Sequence, residues 1–162
     1  SEIEYVDEKL DGSDLARLYV ACDCLLYPCD DDVYGLHIAE AMACSLPVIV
    51  SESGAALDFC HDEIAYLVPA KKMYLPENRS GGIETVDLSW RTEPDRESLI
   101  RLMKHVVTNR EEAELKGRRA AQYIRAHFTW EKAAERVKTI QENVRTQYEM
   151  AITEMKKAYD QM

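Results

Sequence analysis

Residues 27–53 read YPCDDDVYGLHIAEAMACSLPVIVSES. Gly35 stands where an apolar run gives way to helix formers. Leu36, Ala39, Ala41, Met42 and Ala43 favour a helix over residues 35–44, with Leu36, Ala39 and Ala43 on one face. Leu46-Pro47 ends it. Val48, Ile49 and Val50 then form a β-branched run without polar alternation, the pattern of a strand buried on both faces. Residues 22–28 make a short apolar run of strand length upstream, and residues 64–68 make another downstream. Strand, helix and strand joined by short links imply right-handed crossovers and a parallel sheet, hence an α/β fold.

Outward from this centre, residues 15–20 carry apolar side chains at helical spacing after Ser13, the expected N-cap. From Pro69 to Pro94 the periodicity vanishes, and Pro76, Asn78, Gly81 and Gly82 are turn formers. A long surface loop is expected there, with Tyr74, Leu75, Val86 and Trp90 docking it. Past Pro94 the chain turns helical. Leu99, Leu102, Met103 and Val106 share one stripe, and residues 111–127 form a second helix. Thr129 is the expected N-cap of a last helix running to about Tyr159, in which Val137, Ile140, Val144, Tyr148, Ile152, Met155 and Tyr159 recur every three or four positions. That helix would be about 45 Å long, more than one small domain covers. Gln147 breaks a heptad seam, so a helix packing on another domain fits better than a coiled coil.

The chain has 162 residues, 46% of them hydrophobic, enough for one sizeable core. No apolar run approaches the roughly 20 residues of a membrane span, and the acidic opening residues are unlike a signal peptide. A cytoplasmic protein is expected. The five cysteines, Cys22, Cys24, Cys29, Cys44 and Cys60, sit in or beside apolar segments and are expected as free core thiols. Cys22 and Cys24 are too closely spaced for the usual metal knuckle. A net charge of −10 argues against nucleic-acid binding, which needs clustered Lys and Arg. It leaves room for a small anion held by backbone amides at a helix start.

Gly35 at a strand-to-helix turn is such a place, because backbone amides there can approach an anion closely. Asp32 lies just before the turn. Glu40 lies on the helix, placed to accept hydrogen bonds from ligand hydroxyls. Ligands of open α/β sheets bind at the carboxyl ends of strands, where this turn falls. A phosphorylated polyol fits the arrangement.

Asp32 and Glu40 are separated by seven residues around Tyr34-Gly35-Leu36, followed by Ala41-Met42-Ala43-Cys44 and Pro47-Val48-Ile49. This pattern resembles the retaining group 1 glycosyltransferases of the GT-B fold, which carry two glutamates at that spacing with Phe-Gly-Leu between them. The resemblance implies a Rossmann-like parallel sheet flanked by helices, the carboxy-terminal half of GT-B. It also implies that Glu40 binds the ribose hydroxyls of a nucleotide-sugar and that Asp32 contacts the donor sugar near the reacting carbon. The backbone of Tyr34, Gly35 and Leu36 would face the sugar and diphosphate. His127-Phe128-Thr129-Trp130 resembles the segment opening the family's final helix, which packs on the amino-terminal domain. Residues 1–128 are thus expected as a partial donor-binding domain with a surface loop at 69–94, and residues 129–162 as that helix.

The sequence departs from the family in three places. Asp32 is one methylene shorter than the usual glutamate. Ser45 stands where Gly is usual, a mild change where φ stays negative. His37 replaces an apolar or Pro position and reads as a helix-turn residue rather than a general base. The family's diphosphate-holding Arg and Lys, and its acceptor domain, are expected upstream of residue 1. Asp30-Asp31-Asp32 has the form of an Asp-x-Asp metal site, but acidic loop runs are ordinarily solvated and the resemblance implies metal-independent chemistry with no cofactor beyond the donor substrate. The expectation is donor binding for a glycosyl transfer with retention, the isolated chain being inactive. The exposed helical stripe could join two copies as a homodimer. A diverged or engineered non-catalytic α/β module is the alternative, separated from the first by whether Glu40→Ala abolishes nucleotide binding.

Overall fold

A computed structural model describes residues 3–28, 34–80 and 82–160. The chain forms two compact units, residues up to Ile124 and residues from Arg125 onward. The first opens with helix α1 (Gly12–Ala21). Asp11, not Ser13, caps it: the Asp11 carboxylate accepts from the Ser13 and Asp14 amides at 2.8 and 2.9 Å, and from the Ser13 hydroxyl at 2.8 Å. Those bonds, led by the Asp14 amide, hold the Asp11 carboxyl below its usual range.

Strand β1 (Leu25–Tyr27) is shorter than the apolar run suggests. Helix α2 (Leu36–Ala43) and strand β2 (Val48–Ser51) follow, then a 3-10 turn (Gly54–Asp58) and strand β3 (Tyr66–Val68). These strands form a parallel sheet in the order β1-β2-β3, with Leu25 opposite Val48 and Ser51 opposite Val68. All four residues of β2 are buried, as its β-branched run requires of a central parallel strand.

Residues 69–94 are not a loop. Strand β4 (Ala70–Tyr74) and β7 (Trp90–Pro94) pair antiparallel, and the short β5 (Arg79–Ser80) and β6 (Ile83–Glu84) pair between them. Tyr74 and Trp90 do not dock: they face each other across the ribbon, exposed, with the Lys72 ammonium 4.1 Å from the Trp90 ring centroid and 5.2 Å from that of Tyr74. A cation held over two rings offsets part of the exposure.

Helices α3 (Arg96–Thr108) and α4 (Arg110–His127) complete this part of the chain. Asp95 caps α3 through the Ser98 amide at 2.8 Å. Alternation along β2 sends its side chains to two faces. Val48 and Val50 join Tyr19, Ile38, Met42, Ala120 and Ile124 in one core cluster. Ile49 joins Tyr66, Val68, Val106 and Ala113 in the other, against Leu99 and Leu102 of α3. The turn between α2 and β2 holds Ser45 at φ 65°, so the negative φ that would make the replacement of Gly a mild change is absent. Of the cysteines, Cys60 is buried and Cys24 and Cys44 are half-buried, while Cys22 is exposed at the end of α1 and Cys29 lies outside the described residues. Burial pushes the Cys60 thiol up to about 12 and that of Cys24 to about 11, so both stay protonated and inert.

The second unit holds helix α5 (Trp130–Asp160), entered at Thr129, whose hydroxyl accepts the Lys132 amide at 3.3 Å. Val137, Ile140, Val144, Tyr148, Ile152, Met155 and Tyr159 are all exposed. No helix among the described residues is long and apolar enough to cross a membrane.

Candidate functional site

Three crossings leave the carboxyl ends of the parallel strands: the Gly35 turn after β1, Ser51 to Gly54 after β2, and Pro69 after β3. Gly35 is the N-cap of α2 at φ 66°, ψ 27°, in the left-handed region. A second constraint sits beside it, since a Cβ at position 35 would stand 3.0 and 3.2 Å from the Phe59 ring. Only glycine meets both demands. Gly35 has no side chain with which to cap α2, whose first intrahelical bond runs from the Ala39 amide to the Gly35 carbonyl at 3.1 Å. Its first turn therefore carries backbone donors at the positive end of the helix dipole.

Tyr34 and Leu36 flank this turn, both exposed. Glu40 lies one turn along α2, with half of its side chain accessible. Two groups meet the same carboxylate oxygen, Oε2: the Tyr19 hydroxyl donates to it at 3.4 Å, and His37 Nδ1 lies 3.6 Å away. Tyr19 is 7% exposed, and its burial together with the Glu40 charge pushes the phenol up to about 12, so it remains a donor across the physiological range. His37 also approaches the Tyr27 ring, with centroids 6.2 Å apart. Its partners lie on and beside α2, in keeping with a helix-turn residue.

Four of the five expected site residues, Tyr34, Gly35, Leu36 and Glu40, thus come together at the start of α2. Asp32 lies outside the described residues, as does the Asp30–Asp32 run. Three contributors carried no local signal. Tyr19 is 21 positions from Glu40 in sequence and meets it only because α1 packs on α2. Phe59 closes the space beside Gly35 from the 3-10 turn. Ser51 ends β2 with a buried hydroxyl that has no hydrogen-bond partner among the described residues.

Two other features belong to the architecture. Tyr66 donates to Glu112 Oε1 at 3.1 Å, His105 Nε2 lies 2.6 Å from Glu112 Oε2, and His105 Nδ1 lies 3.2 Å from Asn109 Nδ2. Both imidazole nitrogens are engaged, so this cluster ties α3 and α4 to β3 and leaves no nitrogen for chemistry. A cavity of about 210 Å³ is lined by Cys24, Leu26, Met103, Val107 and Arg110 among others. Its lining includes Asp23, Cys24 and Pro47, which precede β1 and β2, the end opposite that at which open parallel sheets bind ligands. Among the described residues no three His, Cys, Asp or Glu side chains are grouped to hold a metal ion.

The family model described as glycosyl transferases group 1 matches residues 7–75, a span that includes α1, the Gly35 turn and the whole parallel sheet. Among solved structures, the chain is similar to sucrose-phosphate synthase from Thermosynechococcus elongatus, with 22% identity and a TM-score of 0.61 over 85% of this chain and 29% of that one. It is also similar to the C-terminal domain of a group 1 family glycosyl transferase (LpcC) from Francisella tularensis, with 16% identity and a TM-score of 0.54 over 79% of this chain and 53% of that one. At these identities the likeness is one of fold. The chain spans about a third and about half of the lengths of these two proteins. No curated protein sequence matches the chain.

Proposed function

We propose, from the match of residues 7–75 to the group 1 glycosyl transferases and the shared fold, that the chain binds the nucleotide-sugar donor of a retaining glycosyltransferase at the carboxyl ends of β1 to β3. The observation that carries this reading is the Gly35 turn, where backbone donors at a glycine-started helix stand one turn from an accessible carboxylate, Glu40. The amides suit the diphosphate and the carboxylate suits the ribose hydroxyls. Tyr34 and Leu36 contribute their backbone beside the sugar, and Asp32 supplies the carboxylate near the reacting carbon. No metal or resident cofactor is invoked.

The reading assigns this chain the donor half only. Acceptor binding is not assigned to these residues. Glycosyl transfer needs donor and acceptor oriented together with water excluded, effects that together lower the barrier by many kcal/mol. On this proposal these residues by themselves bind donor weakly and do not transfer sugar.

Calorimetric titration of the chain with UDP, GDP and their sugar conjugates at low salt tests the proposal. Saturable heat whose affinity falls clearly in Glu40→Ala supports it and identifies the base. A folded chain that binds none of them removes the donor-site reading and leaves a non-catalytic α/β module.

A further inference from the structure

We propose that Tyr19 is a positioning residue for Glu40, fixing one carboxylate oxygen so that the other is presented to the vicinal hydroxyls of a bound ribose. The inference rests on the donor-site reading above. Glu40 sits on an exposed helix face, where an unrestrained side chain would sample several rotamers and lose them on binding. Tyr19 is different. Its ring is packed in the core beside Ile38 and Met42, so its hydroxyl is a fixed point reached from a second helix.

Both partners of Glu40 among the described residues meet Oε2, the Tyr19 hydroxyl at 3.4 Å and His37 Nδ1 at 3.6 Å. Oε1 is left to accept. The 3.4 Å separation is longer than a strong O–H···O⁻ bond, and such contacts tighten when ligand completes a site. A phenol held neutral by burial donates in one direction only, which sets the carboxylate plane. His37 approaches the same oxygen from one turn earlier on α2.

The test uses the full chain and measures binding of UDP, GDP and their 2′,3′-dideoxy analogues by calorimetry, with thermal unfolding recorded for every variant. Tyr19→Phe is expected to weaken the ribonucleotide about tenfold, the equivalent of one charge-assisted hydrogen bond, and to leave the dideoxy analogue unchanged. In a Glu40→Gln background the same change is expected to add nothing. Unaltered ribonucleotide affinity, or equal losses for both ligands, would overturn the proposal, because a structural role does not distinguish the two. Wild-type protein that binds neither ribonucleotide removes the donor-site reading itself, a result visible before any variant is made. A ligand-independent measurement stands beside these: in ¹³C-tyrosine NMR, Glu40→Gln is expected to lower the titration point of Tyr19, and no change would also sink the contact.

Discussion

Gly117 of α4 packs directly on the carbonyl group of Ser45, the residue that closes the turn between α2 and β2. A Cβ at position 117 would overlap that oxygen and stand 3.0 Å from the Ser45 carbonyl carbon and 3.1 Å from the Pro47 nitrogen. Gly117 lies on the buried face of α4 with Ala113, Ala120, Ala121 and Ile124. Small residues there let α4 approach backbone rather than side chains, and so seat the turn that leads into β2.

Gly117→Ala consequently sets two effects against each other. Alanine favours a helix interior over glycine by about 1 kcal/mol. The overlap is with backbone, which cannot rotate away, and overpacking of this kind typically costs about 1–3 kcal/mol. The steric effect is expected to win, with a net loss of about 1 kcal/mol or more and a lower midpoint in urea. A midpoint equal to or above that of the wild type would show that α4 can slide off the turn.

Ser45 has φ 65°, the left-handed region rather than the negative φ expected of a serine. The cause is the end of α2: the Ser45 amide bonds to the Met42 carbonyl at 2.9 Å and the Leu46 amide to the Ala41 carbonyl at 3.0 Å, the paired bonds of a Schellman motif. Leu46 and Ala41 are both buried in the core beneath it. Glycine is the residue this position favours, so Ser45→Gly is expected to stabilise the chain by about 1 kcal/mol. Chemical denaturation reads this directly, and a destabilised variant would mean that the serine side chain contributes more than its backbone strain costs.

Ser45 and Tyr19 mark where the sequence stops being legible. Helix α2 and strand β2 are local in origin: an Ala- and Met-rich run bounded by Gly35 and Pro47, then Val-Ile-Val, each declare their element through propensity and pattern. The stripes of α3 and α5 are equally plain. The β4–β7 ribbon is hidden, because Lys71, Lys72, Met73 and Tyr74 are exposed and no apolar alternation marks the pairing. The Ser45 conformation is hidden for a related reason, since the usual signal of a left-handed C-terminal residue is glycine. Within the candidate site the motif residues at the start of α2 could be read, whereas the Tyr19–Glu40 contact depends on packing between helices and Asp32 lies outside the described residues.

The Glu112 cluster makes stability depend on pH in one direction. The His105 hydrogen bond leads, with that from Tyr66 adding to it, in holding the Glu112 carboxyl below its ordinary value of 4.5. A depressed folded-state value contributes stability that is fully present above about pH 4.5 and is lost as pH falls through the folded-state value. Glu112 is half-exposed, so the contribution is modest. Thermal midpoints taken from about pH 6 downward are expected to fall less steeply for Glu112→Gln than for the wild type. Parallel curves for the two proteins would remove Glu112 from the acid limb.

Gly35 joins the fold to the proposed chemistry, and its replacement is expected to affect both. At φ 66° an L-residue costs about 1–2 kcal/mol, and the new Cβ must also displace the Phe59 ring. That ring belongs to the core cluster with Ile38 and Met42, so relief comes most easily by moving the start of α2 outward. The amides proposed to face the diphosphate would move with it. Gly35→Ala should therefore lower the unfolding midpoint and weaken nucleotide binding more than the stability loss alone explains. Gly82→Ala is the matched control, because Gly82 also has positive φ, at 86°, but a Cβ added there would meet nothing within 4 Å, and the residue lies on the ribbon. It should leave binding untouched. Equal binding by the Gly35 and Gly82 variants, both folded, would separate the helix start from the ligand site and reduce Gly35 to a purely structural glycine.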